Sequence, residues 1–307
     1  MKKILVAIPT YNRIELLKKL IKTIPNNVDI HISDNGSFSK DIFNQNNLTL
    51  VHHDKIYSMF ENWNLSIINA PKCDFIAITS DDDLYEVDSF YIIEKIINSY
   101  EDIDMFIFGN NFINEKDEII GQYCPKEYKI FNAPEGLNEF LYGVDARMPS
   151  IFFKKTFLDS IGYFDDSNFK FTAADSELIQ RALLLGKVVF IPKIVSSYRV
   201  WSGSETDKKI ATKEWMDQID IWTNKIIKLA NNKLSSSQNT FDWKKYKDEL
   251  YARNLLAGLN NLYKNRNYKK VWEHFTSCRY PKNAMLKTKI RLYKTLILSK
   301  IKAFFVS

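Results

Sequence analysis

Ile4-Leu5-Val6-Ala7-Ile8-Pro9-Thr10-Tyr11-Asn12-Arg13 is the stretch whose reading decides the fold class. Five apolar residues in a row do not alternate, so the strand they form is buried on both faces, as in the middle of a parallel sheet. Helical spacing follows: Leu16, Leu17, Leu20, Ile21 and Ile24 share one face of a helix over 13–24, and Pro25 stops it. Strands are predicted over 28–33, 48–52, 75–78 and 105–108, with helices over 58–70 and 89–100 between them. Strands that alternate with helices imply parallel pairing and helices on both sheet faces, an α/β fold with a mixed, mostly parallel sheet. A hairpin around Glu115-Lys116-Asp117, strands over 150–153, 188–191 and 195–200, and a helix over 175–185 complete the pattern. After Ser204 the strand signals cease. The expected division is an α/β domain over 1–204 and a helical C-terminal region over 205–307, broken near Ser235-Ser236-Ser237 and Pro281.

The chain has 307 residues, 45% hydrophobic and 26% charged, which is enough to bury a core without disulfides and excludes collagen, a disordered chain and a multi-span membrane protein. The three cysteines, Cys73, Cys124 and Cys278, are far apart and show no zinc spacing, which fits reduced thiols and a cytoplasmic location. The apolar run at 4–8 is too short for a signal peptide, and no apolar stretch of about 18 residues spans a bilayer. The net charge of +6 is local: seven Lys and Arg and no acid lie between Lys282 and Ser307, leaving 36 cations against 37 acids elsewhere. A nucleic-acid partner is therefore not expected. An anionic partner for the tail is, and a membrane surface is the candidate.

Ligands of open parallel sheets sit beyond the carboxyl ends of the strands. There the sequence places Thr10, Tyr11, Asn12 and Arg13 after the first strand, Ser33-Asp34-Asn35-Gly36-Ser37 after the second and Ser80-Asp81-Asp82-Asp83 after the fourth. Three adjacent carboxylates call for a compensating cation, and Mg2+ is commonly held by one or two carboxylates plus substrate phosphates. On an extended segment Asp81 and Asp83 would face one pocket and Asp82 another. The plain alternative is a solvated acidic turn that caps the next helix.

These motifs resemble those of family 2 glycosyltransferases of the GT-A fold, of the surface-polysaccharide type. The opening Ile4–Arg13 stretch, Ile32–Ser37, Asn62-Trp63-Asn64 with Ala70 leading to the Asp81-Asp82-Asp83 "DXD" site, Ile161–Asp165 followed by Asp175–Arg181, and Tyr198-Arg199 occur in the family's order, over roughly residues 3–204. The resemblance implies transfer of a sugar from a nucleotide-sugar donor to a saccharide acceptor, with inversion at the anomeric carbon. The acceptor would be a lipid-linked O-antigen or capsule intermediate, handled by an enzyme peripheral on the inner face of the membrane. Thr10, Tyr11, Arg13, Asp34, Asn62, Asp81 and Arg181 would bind the donor, Asp83 with Asp81 a divalent cation (Mn2+ or Mg2+), and Asp175 would be the general base. Three positions depart from the family pattern. Ala174 stands for the first acid of an "ED" pair, Ser58 for a common Gly, and Trp201 for a His that completes the metal shell.

Rival readings are a sugar-phosphate nucleotidyltransferase, which would want a glycine-rich phosphate loop after the first strand, and a non-catalytic sugar-nucleotide or carbohydrate-binding module, for which Trp201 argues. His52-His53 read as an ordinary strand end, Glu177 as structural or a substitute base, and Trp215 and Trp222, seven apart, as core. In the tail, Leu286, Ile290, Tyr293, Ile297, Ile301 and Phe304 form one apolar stripe flanked by cations. Such a helix over about 283–307 lies on an anionic membrane or else docks on its own domain.

Overall fold

The computed structural model describes residues 1–36, 46–171, 173–201 and 205–306. Ser37, Ser204 and Ser307 of the stretches above lie outside the described residues. Strand β1 (Ile4–Thr10) pairs in parallel with β2 (Asp29–Asp34) on one side and β4 (Phe75–Ile78) on the other. All seven of its residues are buried, which is why its apolar run is unbroken. Helix α1 (Ile14–Lys22) starts where the carbonyl of Arg13 accepts the Leu16 and Leu17 amides. It buries Leu17, Leu20 and Ile21 in the cluster that holds Val6, Ile8, Ile30 and Ile32. Each such side chain contributes about 1.5–3 kcal/mol relative to exposure.

Strand β3 (Leu48–His52) pairs in parallel with β2 at the sheet edge. Helix α2 (Met59–Ile68) is entered through Ser58, whose amide donates to Glu61 Oε2 at 2.8 Å. Ser58 has φ −64°, so this helix start places no demand for a glycine. Then come β5 (Leu84–Tyr85), α3 (Ser89–Ser99), β6 (Met105–Ile113), β7 (Ile119–Tyr123), β8 (Lys129–Phe131), β9 (Ile151–Lys154), α4 (Lys155–Ile161), α5 (Ala174–Leu185) and β10 (Val188–Arg199). The sheet order is β3-β2-β1-β4-β9-β6-β10-β5, with β7 beside β6 and β8 beside β10.

The sheet is mixed and mostly parallel along its main path. β9 runs antiparallel to both β4 and β6, which an apolar run such as Ile151-Phe152-Phe153 gives no means of telling. The two strands expected over 188–200 are one, β10. Its register against β6 shifts on either side of Ile194, next to Pro192, which has no amide to donate to a ladder.

Contacts divide the chain into two compact units. The sheet unit comprises Met1–Phe140, Val144–Lys170 and Leu178–Trp201; the helical unit takes Leu141–Gly143, Phe171–Glu177 and the chain from Ser202 on. The helical unit contains α6 (Glu205–Lys209), α7 (Lys213–Lys233), α8 (Trp243–Lys264), α9 (Tyr268–Ser277) and α10 (Leu286–Val306). Arg279 pins α7 to α8: its Nη2 lies 2.9 Å from Asp220 Oδ1, its Nη1 bonds Asp248, and its guanidinium lies 3.9 Å from the Tyr251 ring centroid. Trp215 and Trp222 are buried, as their spacing implied.

Candidate functional site

Register builds the site. Thr10 is the last residue of β1 and lies beside Asp34, the last residue of β2, which lies beside His52, the last of β3. On its other side Thr10 donates its hydroxyl to Asp81 Oδ2 at 2.7 Å. Asp34, Thr10 and Asp81 thus form a row across the carboxyl ends of adjacent strands.

Each member of the row is held. Asp34 is fully buried; its Oδ1 accepts the Gly36 amide at 2.8 Å and its Oδ2 pairs with His52 Nδ1 at 3.0 Å. A Cβ at Gly36 would collide with Asn12 Oδ1 and come within 3.1 Å of Asp34 Oδ1, so only glycine lets the loops after β1 and β2 meet this closely. Asn12 itself is at φ 55°, a turn that Asn tolerates. Asn62 of α2 is buried: its Oδ1 accepts the Ser33 hydroxyl at 2.8 Å, and its Nδ2 donates to the carbonyls of Thr10 and Ser33 at 3.3 Å each. These partners are protein groups that tie β1 to β2. Tyr11 is 50% exposed at this edge.

The acidic segment is a turn, not an extended strand end: the Asp83 amide reaches the Ser80 carbonyl at 3.2 Å. That geometry overturns the expected alternation. Asp81 and Asp82 share Arg13, whose Nη1 lies 3.3 Å from Asp81 Oδ1 and 3.0 Å from Asp82 Oδ2. Asp83 goes its own way. Its Oδ1 accepts the Arg199 amide at 2.9 Å, and its Oδ2 is buried with no hydrogen-bond partner among the described residues. Burial, then the neighbouring Asp82 charge, raises Asp81 to about 6, against the pull of Thr10 and Arg13. Burial, then Asp82, holds Asp83 well above the usual carboxylate range.

Arg199 and Trp201 complete the turn. Arg199 donates from Nε to the Asp82 carbonyl at 2.8 Å and from Nη1 to the Asn114 carbonyl at 2.7 Å, while Nη2 pairs with Asp117 Oδ1 at 2.5 Å. Trp201 donates Nε1–H to Asp82 Oδ2 at 2.5 Å, so in place of an imidazole the chain supplies a hydrogen-bond donor. The donor chemistry at the turn fits a hard cation. Arg13 pairs with two of the three carboxylates, Asp81 and Asp82, and the Arg199 guanidinium is committed to Asp117 and two carbonyls. The partnerless oxygen of Asp83 is a buried acceptor with its capacity unused. Among the described residues no three His, Cys, Asp or Glu side chains are grouped to hold a metal, so phosphate and water oxygens would complete any such shell.

The remaining expected residues lie elsewhere. Arg181 donates to the carbonyls of Ile161, Gly162 and Tyr163 at 2.6, 2.8 and 2.7 Å and so clamps the loop before Phe164. Asn64 fastens the same loop, donating to the Phe164 carbonyl at 2.9 Å and to Asp166 Oδ2 at 3.1 Å. Asp175 opens α5 within the helical unit, where its Oδ1 accepts the Ser176 amide at 2.7 Å. Glu177 is buried, 3.5 Å from Lys225 Nζ, in a structural position. Two histidines that the sequence reads as an ordinary strand end meet the row: His52 pairs with Asp34, and His53 Nε2 lies 2.7 Å from the Ser33 hydroxyl. The available signal was position. His52 ends the strand predicted over 48–52 and Asp34 follows the one predicted over 28–33, and parallel pairing brings both to one sheet edge. A cavity of about 520 Å3 opens beside Tyr85, Ser89 and Tyr91, and none of the expected site residues lines it.

Neither protein-family models nor curated proteins give a match to this chain. Solved structures do. Staphylococcus aureus TarS matches at 15% identity and TM-score 0.58 over 82% of this chain, which spans 43% of that longer chain. TarS 1–349 in complex with UDP, and again with UDP-GlcNAc, matches at 13% identity and TM-score 0.62, covering 99% of this chain and 92% of that one. The fold is GT-A. In this GT-A sheet the Asp34–Thr10–Asp81 row and the Asp81–Asp83 turn occupy the edge where α/β sheets bind ligands.

Proposed function

We propose that the protein is a glycosyltransferase that moves a sugar from a nucleotide-sugar donor to a hydroxyl of a saccharide acceptor. The observation that carries this reading is the row of Asp34, Thr10 and Asp81 across neighbouring strand ends of a GT-A sheet, with the carboxylate turn beside it. TarS, of the same fold, has been captured with UDP and with UDP-GlcNAc, which supports a uridine nucleotide donor here.

In this reading the Asp34–His52 pair addresses the base, and Thr10, Tyr11 and Arg13 border the nucleotide. Arg13 and the Trp201 indole fix the orientation of the turn. Asn62 and Arg181 act as positioning residues: Asn62 bonds the Ser33 hydroxyl and the carbonyls of Thr10 and Ser33, and Arg181 holds three backbone carbonyls. Asp83 with Asp81 would hold a divalent cation (Mn2+ or Mg2+). Such an ion supplies positive charge to a departing diphosphate. The reaction breaks the bond between the anomeric carbon and the diphosphate oxygen, whose electron pair leaves with the nucleotide, and forms a bond to the acceptor oxygen. The acceptor proton goes to a carboxylate, and Asp175 is assigned that task because an alcohol far above neutral pKa needs a base in the transition state. A base opposite the leaving group gives inversion. The acceptor is taken to be a lipid-linked surface-polysaccharide intermediate, met at the inner face of a membrane by a peripheral enzyme. No helix among the described residues is long and apolar enough to cross one.

A donor panel including UDP-GlcNAc, screened by thermal shift and by nucleoside diphosphate release, tests the reading. Binding with release supports it. Binding with no release to any acceptor points to a binding module, and no binding by any donor overturns the site. Asp175→Asn should keep nucleotide affinity and lose on the order of 10²–10⁴-fold in turnover.

A further inference from the structure

The last helix has one buried face and one exposed apolar face. α10 buries Thr288, Leu292, Leu296 and Ser299 within the helical unit. Thr288 donates to Glu249 Oε1 at 2.7 Å, which fixes this face to α8. Docking on its own unit, one of the two alternatives posed by the sequence, is therefore real. It leaves a second face exposed: Leu286 is 71% exposed, Ile290 58%, Ile297 59% and Phe304 80%. Steps of three and four keep these residues with Tyr293 and Ile301 on one side of the helix. An apolar hollow of about 320 Å3 is lined there by Ile297, Lys300, Ile301 and Phe304.

Aromatic rings extend the face beyond α10. Half-exposed Trp272 of α9 stacks on Phe275 at 6.0 Å, Phe275 meets Tyr293 at 6.5 Å, and the Tyr293 hydroxyl reaches that of Tyr280 at 3.3 Å. Trp and Tyr favour the boundary between headgroups and hydrocarbon, where a ring is half wet. Charge then selects the occupant. On a helix of 3.6 residues per turn, Lys287, Arg291, Lys294 and Lys302 fall on one flank of the stripe and Lys289 and Lys300 on the other. No Asp or Glu follows Glu273 in the sequence.

We propose that the outer face of α10, with Trp272 and Tyr280, docks on an anionic lipid bilayer. The apolar stripe enters the interface and the flanking cations meet the headgroups. A second copy of the chain would set cations against cations, which disfavours it as the occupant. The inference does not depend on the glycosyltransferase reading.

The test is sedimentation of the full chain with vesicles of phosphatidylcholine alone and of phosphatidylcholine mixed with phosphatidylglycerol. The protein should pellet with the mixed vesicles only, and less at high salt. The combined variant Ile290→Glu, Ile297→Glu, Phe304→Glu should pellet at least ~10-fold less while keeping its melting temperature, because the substituted positions leave the buried face intact. Failure to pellet with mixed vesicles overturns the proposal, as does undiminished pelleting of the folded variant. Light scattering that shows a wild-type dimer turned monomer by Ile297→Glu would assign the face to a second copy and overturn it equally. UDP binding, measured in parallel, should be unchanged in the variant, so failure here and failure of the donor site are read separately.

Discussion

Asp81 shows what the site costs the fold. Its carboxyl titrates at about 6 in the folded chain against an ordinary 3.8, so the folded state holds the proton more tightly than the unfolded one between those values. Stability therefore falls as pH rises from about 4 to about 6 and stays lower above, the reverse of a salt-bridged aspartate. Asp81→Asn removes that loss while leaving an oxygen for the Thr10 hydroxyl. Its melting temperature at pH 7 should exceed that of the wild type by a few degrees, on the order of 1 kcal/mol, and the gap should close near pH 4. Thermal melts of both proteins across that range would show it. Under the proposed function the same substitution should also weaken UDP binding, since that reading sets the carboxylate toward the nucleotide while its burial works against stability. His52→Ala acts in the opposite sense. It strips a partner from fully buried Asp34, and should cost about 1–3 kcal/mol of stability together with a several-fold rise in the dissociation constant for UDP. Unchanged affinity in a folded His52→Ala protein would remove the ring from the site.

Among the elements, Arg181 and Gly258 each do a task their neighbours in sequence conceal. Arg181 reaches three consecutive carbonyls at once from α5, which a guanidinium fork can do and a single ammonium cannot. Arg181→Lys should lower the melting temperature by several degrees and leave UDP affinity within about twofold. A selective loss of UDP binding would show instead that the side chain contacts phosphate. Gly258 lies inside α8, where alanine normally gains about 1 kcal/mol. Here a Cβ would stand 2.6 Å from the Ile210 carbonyl oxygen and 3.2 Å from Ala211 Cα, both backbone atoms. Gly258→Ala should therefore destabilise, with a lower midpoint in urea and an unchanged slope.

For the whole molecule the expectation is linkage. A ligand that binds only the native state stabilises it by about 2.7 kcal/mol at a hundred times its dissociation constant, so under the proposed function saturating UDP should raise the melting temperature by several degrees. Much of the architecture was legible one residue at a time. The apolar run at 4–8, the helical spacing at 16–24 and the polar clusters after each strand depend on local periodicity, and periodicity survives in a sequence. The gathering of Thr10, Asp34 and Asp81 followed, because parallel strands that end in polar turns must bring those turns to one edge. Other features lay between residues far apart in the chain. The antiparallel course of β9, the Arg199–Asp117 bridge and the Trp201 bond to Asp82 each need two distant segments already in place. Asp83 illustrates the divide. Its identity and position after a buried strand were plain in the sequence. The turn at Ser80 that swings it away from Asp81 and leaves one oxygen buried without a hydrogen-bond partner among the described residues was decided by tertiary packing, since only the folded chain brings Arg199 and its amide to meet it.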